Sequence, residues 1–198
     1  MNHKRIIRNV LAGLAVLVFL VAAWFLGPAL MPAQHVEVGI PKGAKAPVDM
    51  MLMNQKSEPV SLAQGMGEKG MVLLLVRSAD WCPFCKAQLS RSKEIEAPLA
   101  ALGYKLASLS YDKPPLLAEF ADGNGITFQM YSDPGSKMIG ELGLRDPQYE
   151  DGSFAFGVPR ATVLVLAPDG TVKAKFVDAD YRSRQSNEQV LEMVKEAN

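Results

Sequence analysis

The sequence predicts an α/β fold, a mixed central sheet flanked by helices, preceded by one apolar helix long enough to cross a membrane. Three observations predict it. Helices alternate with apolar strand runs through the first half of the chain, a hairpin and a helix close it, and residues 10–31 carry no charge. With 198 residues and 48 % hydrophobic composition, there is room for one ordinary domain and an appendage.

Residues 1–9 form a tail in which His3, Lys4, Arg5 and Arg8 precede the apolar run 10–31. The positive-inside rule then sets the N-terminus in the cytoplasm, and Trp24 and Phe25 suit the far membrane–water interface. A cleaved signal peptide has a shorter apolar region, about 7–15 residues, ending in a small-x-small site. This run is longer and no Ala-x-Ala follows it, which favours an uncleaved single-pass anchor in a bacterial inner membrane. The rest of the chain is then expected on the periplasmic side. Residues 32–45, with Gly39, Pro41 and Gly43, read as a linker, and 46–198 as the folded domain.

Within the domain, Val48–Met53 and Pro59–Leu62 flank the polar turn NQKSE and suggest a hairpin. Met71–Arg77 is continuously apolar until its last residue, the pattern of a strand buried on both faces. Lys86–Leu102 reads as a helix with Leu89, Ile95 and Leu99 on its apolar side, which Pro98 kinks or ends. Tyr104–Tyr111 and Ile126–Tyr131 read as strands, Pro115–Ala121 and Lys137–Leu142 as short helices. Ala161–Ala167 and Thr171–Val177 flank Pro168-Asp169-Gly170, a turn signal between two strands. Ser186–Ala197 closes the chain as a helix, with Ser186 as N-cap and Gln189 in capping-box position.

A net charge of zero gives no general attraction to nucleic acid, and no basic stripe lies beyond the tail. His3 and His35 both fall outside residues 46–198, which excludes a Cys–His or Ser–His–Asp centre within them. The two cysteines, Cys82 and Cys85, enclose Pro83 and Phe84. A loop this small removes little entropy from the unfolded chain, so the pair points to chemistry rather than scaffolding. A structural disulfide is the plainer alternative. Half a zinc site is disfavoured because the domain offers no other Cys or His, and haem attachment because Lys86 follows the second Cys. No metal and no cofactor is expected.

The pair follows a buried strand and opens a helix. A thiol at a helix N-terminus meets unpaired N–H groups and the positive end of the dipole, both of which favour the thiolate. Cys82 is therefore expected to be the exposed, acidic nucleophile, and Cys85, one turn further in, the buried resolving thiol. Pro83 suits the first helical position.

The stretch VLLLVRSADWCPFCKAQL resembles the strand, active-site loop and first helix of the thioredoxin superfamily. Together with GVPRATVLVLAPDGTV, it is similar to the redoxin branch, the alkyl-hydroperoxide-reductase and thiol-specific-antioxidant group. That group includes membrane-tethered periplasmic members. The resemblance implies a thioredoxin-like fold and a cis bond between Val158 and Pro159, with the Val158 backbone beside Cys82 and free to pair with a substrate strand. It implies that Arg160 stands where peroxiredoxins keep an arginine against the peroxidatic thiolate. Trp81 and Phe84 would shape the docking surface. Two departures oppose a peroxidase: the peroxiredoxin pattern sets Pro and Thr or Ser seven and three residues before the cysteine, where this chain has Leu75 and Ala79. Gln88 stands where some tethered reductases carry a glutamate.

The expected function is thiol–disulfide exchange with protein substrates, Cys82 attacking and Cys85 resolving, with an unidentified membrane electron donor or acceptor. The alternatives are a thiol peroxidase using Cys82, and a non-catalytic binding module.

Overall fold

The computed structural model describes residues 3–30 and 32–198; the side chains of residues 3–6, 25, 26 and 28–30 lie outside the described residues, and with them the expected roles of His3, Lys4, Arg5 and Phe25. Helix α1 (His3–Leu30) carries the apolar run, and its stretch from Ile7 to Trp24 is unburied.

Strands β1 (Leu52–Asn54) and β2 (Pro59–Val60) form the expected hairpin. Its turn is closed by the Asn54 side chain, which accepts the Lys56 and Glu58 amides, each at 2.9 Å. Strand β3 (Gly70–Leu75) leads through the two cysteines into α2 (Pro83–Ala101), and β4 (Tyr104–Ser110), α3 (Pro114–Asn124) and β5 (Gln129–Ser132) follow. A short α4 (Lys137–Glu141), the hairpin β6 (Thr162–Leu166) and β7 (Val172–Val177), and α5 (Asn187–Ala197) complete the chain. The seven strands lie in the order β2-β1-β5-β4-β3-β6-β7. Strand β3 lies inside the sheet, parallel to β4 and antiparallel to β6.

Period-two alternation divides β3 between two cores. Val72 and Leu74 face α2, α3 and α5, where Leu89, Leu99, Leu117 and Val190 pack. Met71, Leu73 and Leu75 face the opposite layer, with Met138, Ile139, Leu142 and Leu164. Every residue of β3 is buried, as its unbroken apolar run requires.

Pro98 does not end α2. It stands in the last turn, where only one intrahelical bond is lost, and the stop comes at Gly103, whose φ of 87° few other residues adopt. Residues 34–46, with the composition of a linker, are tied along the outer edge of β7. Val36 donates to Val177 at 2.9 Å, Gly43 to Val172 at 2.8 Å and Ala46 to Gly170 at 2.9 Å, while Val36, Val38 and Ile40 pack on the second core. His35 is therefore not outside the packed structure: its ring meets Phe176 and its Nδ1 accepts the Val177 amide at 3.0 Å.

The capping box of α5 is formed in both directions: Ser186 Oγ accepts from the Gln189 amide and Gln189 Oε1 from the Ser186 amide. Ser186→Ala is expected to cost about 1 kcal/mol in urea unfolding.

Candidate active site

The turn between β3 and α2 is pinned by one buried carboxylate. Asp112, just past β4, accepts the Ala79 amide at 2.7 Å, the Ser78 hydroxyl at 2.8 Å and the Ser110 hydroxyl at 2.9 Å. Burial pushes its carboxyl above the usual range, against the pull of these three donors. Ser78 Oγ also accepts the Asp80 and Trp81 amides, at 2.9 and 3.2 Å. The loop is thus fixed on both sides of Ala79, and it delivers Cys82 to the N-cap of α2 with Pro83 behind it.

Cys82 and Cys85 form a disulfide, their Cα atoms 5.3 Å apart. Cys82 Sγ accepts the Cys85 amide at 3.3 Å, the contact expected of a thiol at a helix N-terminus. Against the expectation of an exposed nucleophile, Cys82 is only 1 % accessible and Cys85 fully buried. Both cysteines sit in the apolar core, and Trp81 and Phe84 pack against it. The Trp81 indole donates to the Tyr111 hydroxyl at 2.9 Å and meets Phe154 edge-on at 5.4 Å, while Phe84 meets Tyr181 at 6.0 Å. Arg77 threads between these rings, 3.8 Å from the Tyr181 centroid and 4.9 Å from that of Tyr149, whose hydroxyl it also reaches. Phe154 itself is exposed.

Behind the pair lies a second buried charge group. Arg184 Nη2 donates to Cys85 Sγ at 3.2 Å, and its side chain is 3 % exposed. Its Nη1 stands 3.8 Å from Asp178, near enough for attraction but too far for a hydrogen bond. Burial draws the Arg184 guanidinium down to about 10 and pushes the Asp178 carboxyl up to about 7, despite the opposing pull of Arg184 and Arg91. An unfolded Asp titrates near ~3.9. Between those pH values the folded protein keeps a proton that the unfolded chain has lost. This contribution to stability is therefore present in full below about pH 4 and lost as the pH rises through about 7. Asp178→Asn is expected to flatten that fall in urea midpoints measured from pH 4 to 8.

The Val158–Pro159 peptide is trans, not cis, since the described residues contain no cis bond. The segment is held extended against residues 144–146: Asp146 donates to Val158 O at 2.9 Å and Arg160 to Leu144 O at 2.7 Å. The Val158 amide donates to Ala155 at 3.1 Å, so neither backbone group of Val158 is free to pair with a substrate strand. Arg160 lines a cleft of about 560 Å³ with Asp146, Asp178, Tyr181 and Arg182. The guanidinium that touches a sulfur belongs to Arg184.

Arg77, Asp178 and Arg184 escaped the sequence reading. A charged residue at the end of an otherwise apolar run was the available signal for Arg77. The other two sit in DADYRSR, which has the composition of any exposed loop.

The AhpC/TSA family model matches residues 43–175. Peroxiredoxin Bcp of Escherichia coli K12 is 25 % identical over 145 residues, covering 73 % of this chain and 90 % of its own. A Mycobacterium tuberculosis H37Rv protein that carries a peroxiredoxin name is 30 % identical over 130 residues, 66 % of this chain and 80 % of its own. Among solved structures, peroxidoxin BcpB of M. tuberculosis superposes with a TM-score of 0.68 at 17 % identity, covering 80 % of this chain and 99 % of its own. Peroxiredoxin Q of Xanthomonas campestris gives 0.66 at 18 %, covering 82 % and 100 %. At these identities the superpositions show the thioredoxin-like fold.

Proposed function

Because the chain belongs to the AhpC/TSA family of redox-active thiol proteins, we propose that this oxidoreductase is a thiol peroxidase with Cys82 as peroxidatic and Cys85 as resolving residue. The observation that carries the reading is the position of Cys82 at the N-cap of α2, with its disulfide partner in the same helical turn. The peroxiredoxin names of its relatives support the choice of oxidant.

In the proposed cycle the Cys82 thiolate attacks the terminal oxygen of a hydroperoxide. An S–O bond forms, the O–O bond breaks, and the departing alkoxide takes a proton to leave as an alcohol or water. Cys85 then attacks the Cys82 sulfenic acid, an S–S bond replaces the S–O bond, and water leaves. An external dithiol closes the cycle by reducing the disulfide. Trp81, Phe84 and the exposed Phe154 give that dithiol an apolar surface to meet.

A second reading, disulfide exchange with protein substrates, is favoured by Ala79. Its methyl group offers no hydroxyl to a peroxide, and the neighbouring Ser78 hydroxyl is fully engaged with Asp112 and two amides. The reaction is then the same attack by Cys82 on a sulfur in place of an oxygen. Under either reading we propose that α1 anchors the chain in a bacterial inner membrane, with residues past Gln34 on the periplasmic side and electrons exchanged with a membrane partner. The uncharged, unburied stretch from Val10 to Trp24 supports this.

Stopped-flow fluorescence of the reduced full-length chain, read through Trp81, separates the two readings. Fast oxidation by a hydroperoxide with slow oxidation by glutathione disulfide is the expected result. The reverse order of rates assigns disulfide exchange.

A further inference from the structure

We propose that Arg184 is a positioning residue for the resolving step: it holds Cys85 as a thiolate in the reduced protein and aims it at Cys82. The inference deepens the reading of Cys82 as attacking and Cys85 as resolving thiol, and holds whether Cys82 has met a peroxide or a disulfide.

The geometry is direct. Arg184 Nη2 lies 3.2 Å from Cys85 Sγ, whereas Cys82 Sγ receives only a neutral backbone amide. The charges around the contact do not balance. Arg77 and Arg91 face Arg184 from the end of β3 and from α2, and Asp178 and the more distant Asp180 face it from the end of β7. Arg77, Arg184 and Asp178 are buried, and Arg184 Nε and Nη1 have no hydrogen-bond partner among the described residues. Arg91 spends a donor on the Gln185 carbonyl at 2.8 Å, and Asp180 is taken by Arg182. Unpaired cationic donors in a buried site are costly unless an anion joins them.

Opening the disulfide supplies that anion. Both sulfurs are neutral in the oxidised state, and the one released against Arg184 belongs to Cys85. Gln88, one turn further along α2, is a neutral amide whose Oε1 is buried without a partner, so it cannot take the Cys85 proton. The guanidinium does by charge what a base would do by proton transfer. In the resolving step the Cys85 thiolate attacks Cys82, an S–S bond forms, and the S–O bond of the sulfenic acid breaks. The hydroxide that leaves takes a proton from solvent. With a mixed disulfide the substrate thiolate leaves instead.

The test is a titration of Cys85 alone, in the full-length Cys82→Ser chain, followed by the ultraviolet absorbance of the thiolate. Cys85 is expected to titrate about one unit or more below the ordinary thiol value of ~8.5. Adding Arg184→Gln raises it above that value, because burial and the Asp178 carboxylate are then unopposed by that guanidinium. Arg184→Lys retains part of the depression, and Asp178→Asn, which removes the competing carboxylate and leaves Arg184 in place, lowers the value further. A Cys85 thiol that titrates at the ordinary value or above, or that does not respond to Arg184→Gln in a chain with unchanged circular dichroism, overturns the proposal. If Arg184→Gln fails to fold, the Asp178→Asn result decides: a fall supports the proposal, and no change or a rise overturns it. No peroxide enters this experiment. An acidic Cys85 in a chain that consumes no peroxide upholds the role of Arg184 and rejects the peroxidase.

Discussion

Cys82→Ser is expected to abolish peroxide consumption, lowering the rate by about 10³-fold or more, equivalent to ~4 kcal/mol of barrier. Cys85→Ser is expected to behave differently. Cys82 remains at the N-cap, so the first chemical step survives and one equivalent of peroxide is consumed in a burst. The reaction then stops at the sulfenic acid, because no second thiol lies within reach to expel water. A coupled assay that counts peroxide per chain distinguishes the two variants. The asymmetry follows from position: Cys82 caps the helix, and Cys85 lies one turn further in with its sulfur against Arg184. If both variants gave the same burst, or neither did, the division of roles would be wrong.

Asp112→Ala is expected to be the most damaging single change that leaves both cysteines in place. The carboxylate accepts from Ala79, Ser78 and Ser110 within a buried turn. Its removal strands three donors, each left unsatisfied at a cost of about 1–3 kcal/mol, so a loss of at least ~3 kcal/mol in denaturant unfolding is expected. Activity should fall as well, because the Ala79 amide and the Ser78 hydroxyl set the path of the chain into Cys82. Asp112→Asn keeps an acceptor for the amide and should recover part of both. Equal stability of the wild-type chain and the Asp112→Ala variant would show that the loop is held by something else.

Much of this scaffold is visible in local pattern. The apolar run of β3, the NQKSE turn and the Ser186–Gln189 capping box need only neighbouring residues to declare themselves, and each takes the form its sequence implies. The CxxC pair is equally plain, since its chemistry depends on the strand before it and the helix it opens. What surrounds the pair is not local. Arg184 meets Cys85 across 99 positions of chain, and Arg77 reaches Tyr149 across 72. No periodicity marks a loop arginine as buried, and it is burial that gives Arg184 and Asp178 their unusual properties. The same limit applies to the burial of Cys82, whose flanking Trp81 and Phe84 are met by Phe154 and Tyr181 from distant loops. Pro159 illustrates a different failure. Its motif context suggests a cis bond, but the hydrogen bonds to residues 144–146 that keep the segment extended come from outside the motif. Residues 34–46 carry both kinds of signal: Gly39, Pro41 and Gly43 suggest a linker, while alternating Val36, Val38 and Ile40 suit a segment packed on an edge.

The central claim, that Cys82 reduces a hydroperoxide and Cys85 completes the cycle within the same chain, is tested most directly by mass spectrometry. The reduced full-length chain is mixed with one equivalent of hydroperoxide, quenched with an alkylating reagent and digested. The account predicts a monomer lighter by two hydrogen atoms, with Cys82 and Cys85 in one cross-linked peptide and no free thiol to alkylate. Recovery of both cysteines alkylated after the peroxide has had time to react would contradict it. So would oxygen retained on Cys82 beside an alkylated Cys85.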